Sequence, residues 1–123
     1  MIKVTIYQNH SNVYCGFRME GHAGFAAYGS DIVCSAVSVL VINTMNSIEQ
    51  FTDDQFNGAV HKEKDVVSFD ILSEPVSEAA GLLMNSLVLG LEALQGEYGK
   101  KYINIKIKKT NKKTEKKQED LKN

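Results

Sequence analysis

An α+β domain is predicted, with a mainly antiparallel sheet, two helices and the element order β-β-α-β-β-α-β. Three observations predict it. Short runs of strict apolar–polar alternation come in pairs joined by turn chemistry, the pattern of hairpins. Two longer runs place apolar residues at spacings of three and four, the pattern of helices packed on one side. Strands that come in pairs between helices, rather than singly, favour antiparallel pairing over a parallel sheet.

Ile2, Val4 and Ile6 alternate with Lys3, Thr5 and Tyr7, which makes a half-buried first strand. Asn9-His10-Ser11-Asn12 is a turn. Val13, Cys15, Phe17 and Met19 then alternate with Tyr14, Gly16, Arg18 and Glu20 and complete the hairpin. Cys15 falls on the apolar face beside Phe17, as a small buried hydrophobe. After a loop over Gly21–Ser30, a helix starts with Ser30 or Asp31 as its N-cap. Cys34 then stands in the first turn and Ser38 one turn further along the same face. The helix's apolar stripe is Val37, Leu40, Val41, Thr44, Met45 and Ile48, and it gives out near Gln50.

Phe56–Glu63 and Val66–Leu72 form a second hairpin, with Val67, Phe69 and Ile71 alternating. Ser73-Glu74-Pro75-Val76 opens a second helix, with the proline in its first turn. From Ala79 to Leu94 that helix is apolar around most of its circumference, leaving a polar stripe of Glu78, Asn85 and Glu92. Such a helix is either the central core element or packs against another subunit, and a homodimer is expected. Gly96 to Gly99 ends it, and Ile103, Ile105 and Ile107 form a last strand with Lys106 and Lys108 facing out. Residues 1–108 make the domain. The lysine-rich remainder, 109–123, lacks apolar periodicity and is expected to be disordered.

At 123 residues and 43% apolar content, with one proline, the chain is long enough for one domain with a modest core. Its longest apolar-rich stretch is broken by Asn85, Ser86, Gly90 and Glu92, so no membrane partner is expected. The N-terminus reads as a strand rather than a secretory leader. Two cysteines then fit a reducing cytoplasm without a disulfide. Charge is lopsided: residues 1–99 carry 4 Lys and Arg against 12 Asp and Glu, while residues 100–123 carry 10 Lys against 3 acidic residues. The basic end has no aromatic residue beyond Tyr102 to stack on a base. It reads as solubilising, and direct nucleic-acid binding is not expected.

The chemistry concentrates in Gly21-His22-Ala23 and, twelve positions after the histidine, Cys34. A thiolate is the reactive form of cysteine, and a helix N-terminus favours it through unpaired backbone N–H groups. A nearby histidine can take and return the proton. The small residues between them let backbone approach a peptide closely. A metal site needs three or four ligands, and only His22, Cys34 and Asp31 could converge, so no metal or other cofactor is expected. By spacing alone, a buried structural cysteine competes with a nucleophile. His10 and His61 read as solvated turn and hairpin residues.

Gly21-His22-Ala23, Gly29-x-Asp31-Ile32-Val33-Cys34 and Ala36-x-Ser38, in this register, resemble the signature of the Prp ribosomal-processing cysteine proteases (YsxB-like proteins). The resemblance covers roughly residues 1–108, and Ser35 stands where a small residue, often alanine, is usual. It implies an endopeptidase that removes a short N-terminal extension from a large-subunit ribosomal protein, cutting after an aromatic residue, in bacteria that make that extension. The extended precursor is then its peptide partner. The resemblance puts the nucleophile on Cys34 and the general base on His22, with Asp31 and Ser38 at further motif positions. Asp31 either orients His22 or caps the helix. Backbone N–H groups near Cys34 and Ser35 are candidates for holding the oxyanion. Gly21, Ala23, Phe25, Tyr28 and Gly29 belong to the loop that would close over a peptide. Two other readings stay open: a non-catalytic ribosome-associated binding module, and a redox sensor using Cys34 alone, for which Cys15 is a badly placed resolving thiol.

Overall fold

The computed structural model describes residues 1–21 and 28–110, with backbone alone at 28–31 and Lys62. The elements are β1 (Ile2–Gln8), β2 (Tyr14–Glu20), α1 (Tyr28–Phe51), β3 (Phe56–His61), a short 3-10 turn (Lys62–Lys64), β4 (Val66–Ile71), α2 (Glu78–Tyr98) and β5 (Ile103–Lys109). The order is the predicted one, β-β-α-β-β-α-β. The strands make one five-stranded sheet, β3-β4-β2-β1-β5. Three pairings are antiparallel and one, β1 with β5, is parallel. The parallel pair follows from α2. The helix carries the chain back along the sheet after β4, so β5 starts in the direction of β4 and therefore of β1.

The β1–β2 turn is held by Asn9, whose Oδ1 accepts from the N–H groups of Ser11 and Val13 at 2.8 and 3.1 Å. Asn12 adopts the left-handed conformation at φ 65°, which Asn tolerates better than most residues. Alternation works as expected from there. Ile2, Val4 and Ile6 of β1, Phe17 and Met19 of β2, and Phe69 and Ile71 of β4 are buried on one sheet face. Val33, Val37, Val41 and Ile48 of α1 and Met84, Leu87 and Leu91 of α2 complete the same core cluster, so both helices cover that face. The opposite face carries Lys3, Arg18, Lys106 and Lys108 toward solvent.

Two boundaries differ from the sequence expectation. The helix predicted to open at Ser73–Val76 begins at Glu78. Ser77 is its N-cap and accepts from Ala80 N–H at 3.0 Å. Pro75 lies ahead of the helix, after a cis bond to Glu74, rather than in its first turn. Ser73 and Ser77 are equal caps by residue type, and what separates them is that Ser77 is anchored from elsewhere in the chain. Asp54 Oδ2 accepts from Ser77 N–H at 3.0 Å. The other difference is α1, which begins at Tyr28 instead of after a Ser30 or Asp31 cap. Tyr28–Ser30 therefore belong to the helix and not to the preceding loop.

By length and composition alone, 32–51 of α1 and all of α2 are apolar enough to cross a membrane, with mean hydropathies of 1.5 and 1.2. One face of each packs on the sheet, where Val33, Val37, Val41, Met84 and Leu91 are fully buried, while Val39, Ile42, Leu82 and Leu89 stay exposed on the outer faces. The tail expected to be disordered from 109 loses its first two residues to the sheet: Lys109 ends β5 beside Gln8, and Thr110 N–H donates to the Gln8 carbonyl at 2.7 Å. Residues 111–123 lie outside the described residues.

Asp54 gives a test of the α2 anchor. Burial pushes its carboxyl up, but hydrogen bonds from the Ser77 hydroxyl and backbone and from Thr52 outweigh this and hold it below its ordinary 3.8. A carboxylate lowered in the folded state adds stability above its unfolded pKa and loses it as pH falls through the folded one. Asp54→Asn is expected to cost about 1–2 kcal/mol at neutral pH. In urea titrations the gap to wild type should shrink as pH drops below about 4 and persist unchanged from pH 6 to 8.

Candidate active site

Cys34 is half-buried on α1, where it packs against the edge of the core. It stands where three parts of the chain converge. The spacing 34, 38 puts Cys34 and Ser38 on one face of α1, one turn apart. The sheet order brings β3 and β4 beneath that face, and the end of β2 delivers Met19 and Gly21 to the same place. The result is a hollow of about 240 Å³ lined by these four residues together with Val60, His61, Asp65, Val66 and Val67. Met19, Val60, Val66 and Val67 supply apolar wall, while Ser38, His61 and Asp65 supply polar groups. A cleft with apolar walls, a few convergent polar groups and a thiol suits binding and cutting an extended peptide.

Gly21 shapes the entrance. Its φ is +88°, and a methyl group added there would sit 2.7 Å from the Met1 carbonyl oxygen. Both features demand glycine, because an L side chain is strained at this φ and backbone cannot step aside cheaply. Gly21→Ala is expected to cost about 1–3 kcal/mol and to lower the melting temperature by several degrees. An unchanged melting curve would mean that the chain bends differently at the hollow's edge.

The sequence-derived site residues divide into groups. Cys34, Ser38 and Gly21 come together at the hollow. Ser35 is exposed and does not border it. His22, Ala23 and Phe25 lie outside the described residues, and Tyr28, Gly29 and Asp31 are described as helix backbone only. The longer helix changes two expectations. Asp31 is inside α1 rather than at its cap, and Cys34 is in the second turn rather than the first. A helix leaves only its first few N–H groups unbonded. With α1 starting at Tyr28, the N–H groups of Cys34 and Ser35 are past that point and committed to intrahelical bonds. They are not free oxyanion donors in this arrangement.

His61 and Asp65 were invisible as site residues in the sequence. His61 is solvated, as its hairpin position suggests, yet it also stands on the rim of the Cys34 hollow. Only strand order, which sets the β3–β4 turn beside α1, could have found it. Among the described residues no group of three or more His, Cys, Asp or Glu could hold a metal ion. Cys15 is buried in β2, away from this hollow, and neither Cys15 nor Cys34 is in a disulfide.

A two-layer α+β fold with a thiol at the mouth of a small cleft is an arrangement that a cysteine hydrolase can use, and comparison with known proteins supplies the class. The family model described as cysteine protease Prp matches residues 1–106. The chain belongs to the Prp family of cysteine proteases. It is 27% identical over 101 residues to the ribosomal processing cysteine protease Prp of Bacillus subtilis, covering 80% of this chain and 90% of that one. The Staphylococcus aureus (strain Mu50) protein of the same name is 27% identical over 99 residues, covering 80% and 92%. Among solved structures, a Streptococcus mutans protein superposes with a TM-score of 0.77 at 27% identity, covering 89% of this chain and 96% of that one. The Staphylococcus aureus Prp structure with a covalently linked product peptide has the same fold at a TM-score of 0.77 and 23% identity, covering 87% and 99%.

Proposed function

We propose that this enzyme removes a short N-terminal extension from a large-subunit ribosomal protein in the cytoplasm, with Cys34 as nucleophile and His22 as general base. The observation that carries the reading is the position of Cys34, a half-buried thiol opening into an apolar-walled hollow at the motif position of a cysteine protease family. Gly21, covalently next to His22, borders the same hollow.

His22 takes the Cys34 proton, and the thiolate attacks the scissile carbonyl carbon. The tetrahedral intermediate collapses as His22 returns the proton to the leaving amine, which departs and leaves a thioester on Cys34. A water molecule, deprotonated by His22, attacks the thioester. The carboxylic product leaves and the thiol is restored. Ser38 and His61, both on the hollow, offer side-chain donors to the carbonyl oxygen as it becomes negative. Asp31 lies inside α1 rather than at its cap, and its role in this reading is to orient His22.

Incubating the enzyme with the extended ribosomal protein tests the reading. A product shortened at its N-terminus by mass spectrometry is expected, with the cut following an aromatic residue. An untouched precursor would overturn it.

The α2 outer face supports a homodimer in this reading. Leu82 and Leu89, 69% and 70% exposed, are seven residues apart and so share one stripe. Sedimentation equilibrium at tens of micromolar is expected to give twice the chain mass, and Leu89→Lys to shift it toward one. A monomer at that concentration in the wild type would contradict the assignment.

A further inference from the structure

We propose that the uncovered face of the sheet binds single-stranded RNA, with Lys3, Arg18, Lys106 and Lys108 meeting its phosphates and Tyr7 stacking on a base. Both helices pack on one face of the sheet, so among the described residues no element covers the other. Strand register assembles that open face. Across it run the rows Glu20-Lys3-Asn104, Arg18-Thr5-Lys106 and Gly16-Tyr7-Lys108, from β2 through β1 to β5. With strands about 4.8 Å apart and residues about 3.3 Å along each, the four cations rise within roughly 15 Å of one another. A hollow of about 180 Å³ lies among them, lined by Lys3, Thr5, Glu20, Asn104, Lys106 and Lys108.

The charge is local. Residues 1–99 hold 4 Lys and Arg against 12 Asp and Glu, yet Lys3 and Arg18, two of those cations, stand on this half of the sheet. The half carries four cations against one carboxylate, Glu20, which lies 3.5 Å from Arg18. At physiological salt a charge is felt over about 8 Å. This patch, and not the chain's net charge of -1, is therefore what a polyanion meets. Lysines on an edge strand such as β5 also serve to block pairing with another sheet. That explanation stops at β5, because Lys3 and Arg18 are on the interior strands β1 and β2. Tyr7 chooses between polyanions. It is partly exposed beside Lys108, and its cross-strand neighbour Gly16 has no side chain to cover the ring. The basic end of the sequence offers little aromatic surface to a base, and the fold adds Tyr7 from β1. A lipid surface wants apolar side chains among the cations, whereas Thr5, Asn104 and Gly16 stand there. RNA rather than DNA rests on the ribosomal substrate proposed above. Cys34 is on α1, across the sheet from this face, so bound RNA leaves the thiol open to a peptide.

The test is fluorescence anisotropy of a labelled single-stranded RNA of about twelve nucleotides, on the full chain, over a series of salt concentrations. The wild type is expected to bind, with affinity falling as salt rises. Lys3→Gln with Lys106→Gln, both at exposed positions, should weaken binding about tenfold at low salt. The salt slope should fall by about 1.4, at about 0.7 per phosphate contact. Lys116→Gln with Lys117→Gln makes the same change of charge outside the sheet face and should cost no more than about twofold. Tyr7→Leu should weaken binding about tenfold with the slope unchanged, since stacking carries no charge. Absence of binding by the wild type, or equal losses in the two lysine pairs, overturns the proposal. Unchanged affinity in Tyr7→Leu would assign the face to any polyanion and overturn the RNA assignment. Adsorption to phosphatidylglycerol vesicles that the Lys3, Lys106 pair loses, with no RNA bound, would assign it to a membrane instead. Cleavage of a precursor peptide by that pair should match the wild type. A fall in cleavage with RNA affinity unchanged would place these lysines in the peptide site and overturn the proposal. If the wild type cuts no peptide, the protease reading fails, and the anisotropy still decides this one.

Discussion

Cys34→Ala is expected to lose cleavage by a factor of about 10⁴ or more while its circular dichroism spectrum and melting temperature stay close to wild type. The side chain is half-buried at the margin of the core, so the loss of one sulfur atom there leaves little void. His22→Ala should fall as far, and the double variant little further, because the members of a catalytic unit fail together. Cys34→Ser should also be nearly inactive. A hydroxyl is far harder to deprotonate than a thiol, and a site arranged for a thiolate activates it poorly. Cys15→Ser separates the two cysteines. Cys15 is 1% exposed in β2, so a hydroxyl there costs stability, and cleavage by the folded fraction should persist. Loss of activity in a folded Cys15→Ser would mean that the wrong thiol carries the chemistry.

Phe69→Ala is expected to be the most damaging single change to the fold, at about 3–5 kcal/mol. Phe69 is fully buried in β4 and joins three strands. Its ring stacks on Phe17 of β2 at 5.4 Å between centroids and meets Phe56 of β3, tilted, at 5.2 Å. A domain of this size has only about 5–15 kcal/mol of stability, so the variant should melt many degrees lower or fail to accumulate. Denaturant titration checks it. A cost below about 1 kcal/mol would mean that Phe17 and Phe56 close over the void. The β3–β4 end also forms one wall of the Cys34 hollow, so partial unfolding there should reduce cleavage before the far side of the sheet loosens.

The periodic elements were legible in the sequence because their burial is one-sided. Ile2, Val4 and Ile6, and Val37, Val41 and Ile48, announce a strand and a helix through spacing alone. Helix starts were less legible because several residues compete to cap. Ser30 and Asp31 are good caps by type, yet α1 begins at Tyr28, and Ser73 loses to Ser77, which Asp54 holds from 23 residues away. Cys34 and Ser38 were visible through the motif from Gly21 to Ser38 and its resemblance to a protease family, since spacing alone left a buried structural cysteine open. The wall opposite them was not, since Val60, His61 and Asp65 reach the hollow only through the β3-β4-β2 strand order. The parallel β1–β5 pair was hidden for the same reason: it depends on where α2 returns the chain, not on any residue within β5.

The claim that Cys34 is the nucleophile is tested most directly by an alkylating substrate mimic. A peptide ending in the aromatic residue before the cut, with a chloromethyl ketone in place of the scissile amide, should inactivate the enzyme by forming one thioether. Digestion and tandem mass spectrometry are predicted to find that adduct on Cys34, with excess substrate peptide slowing its formation and Cys34→Ala taking up none. An adduct on Cys15 with Cys34 untouched, or inactivation with neither thiol modified, would contradict the account.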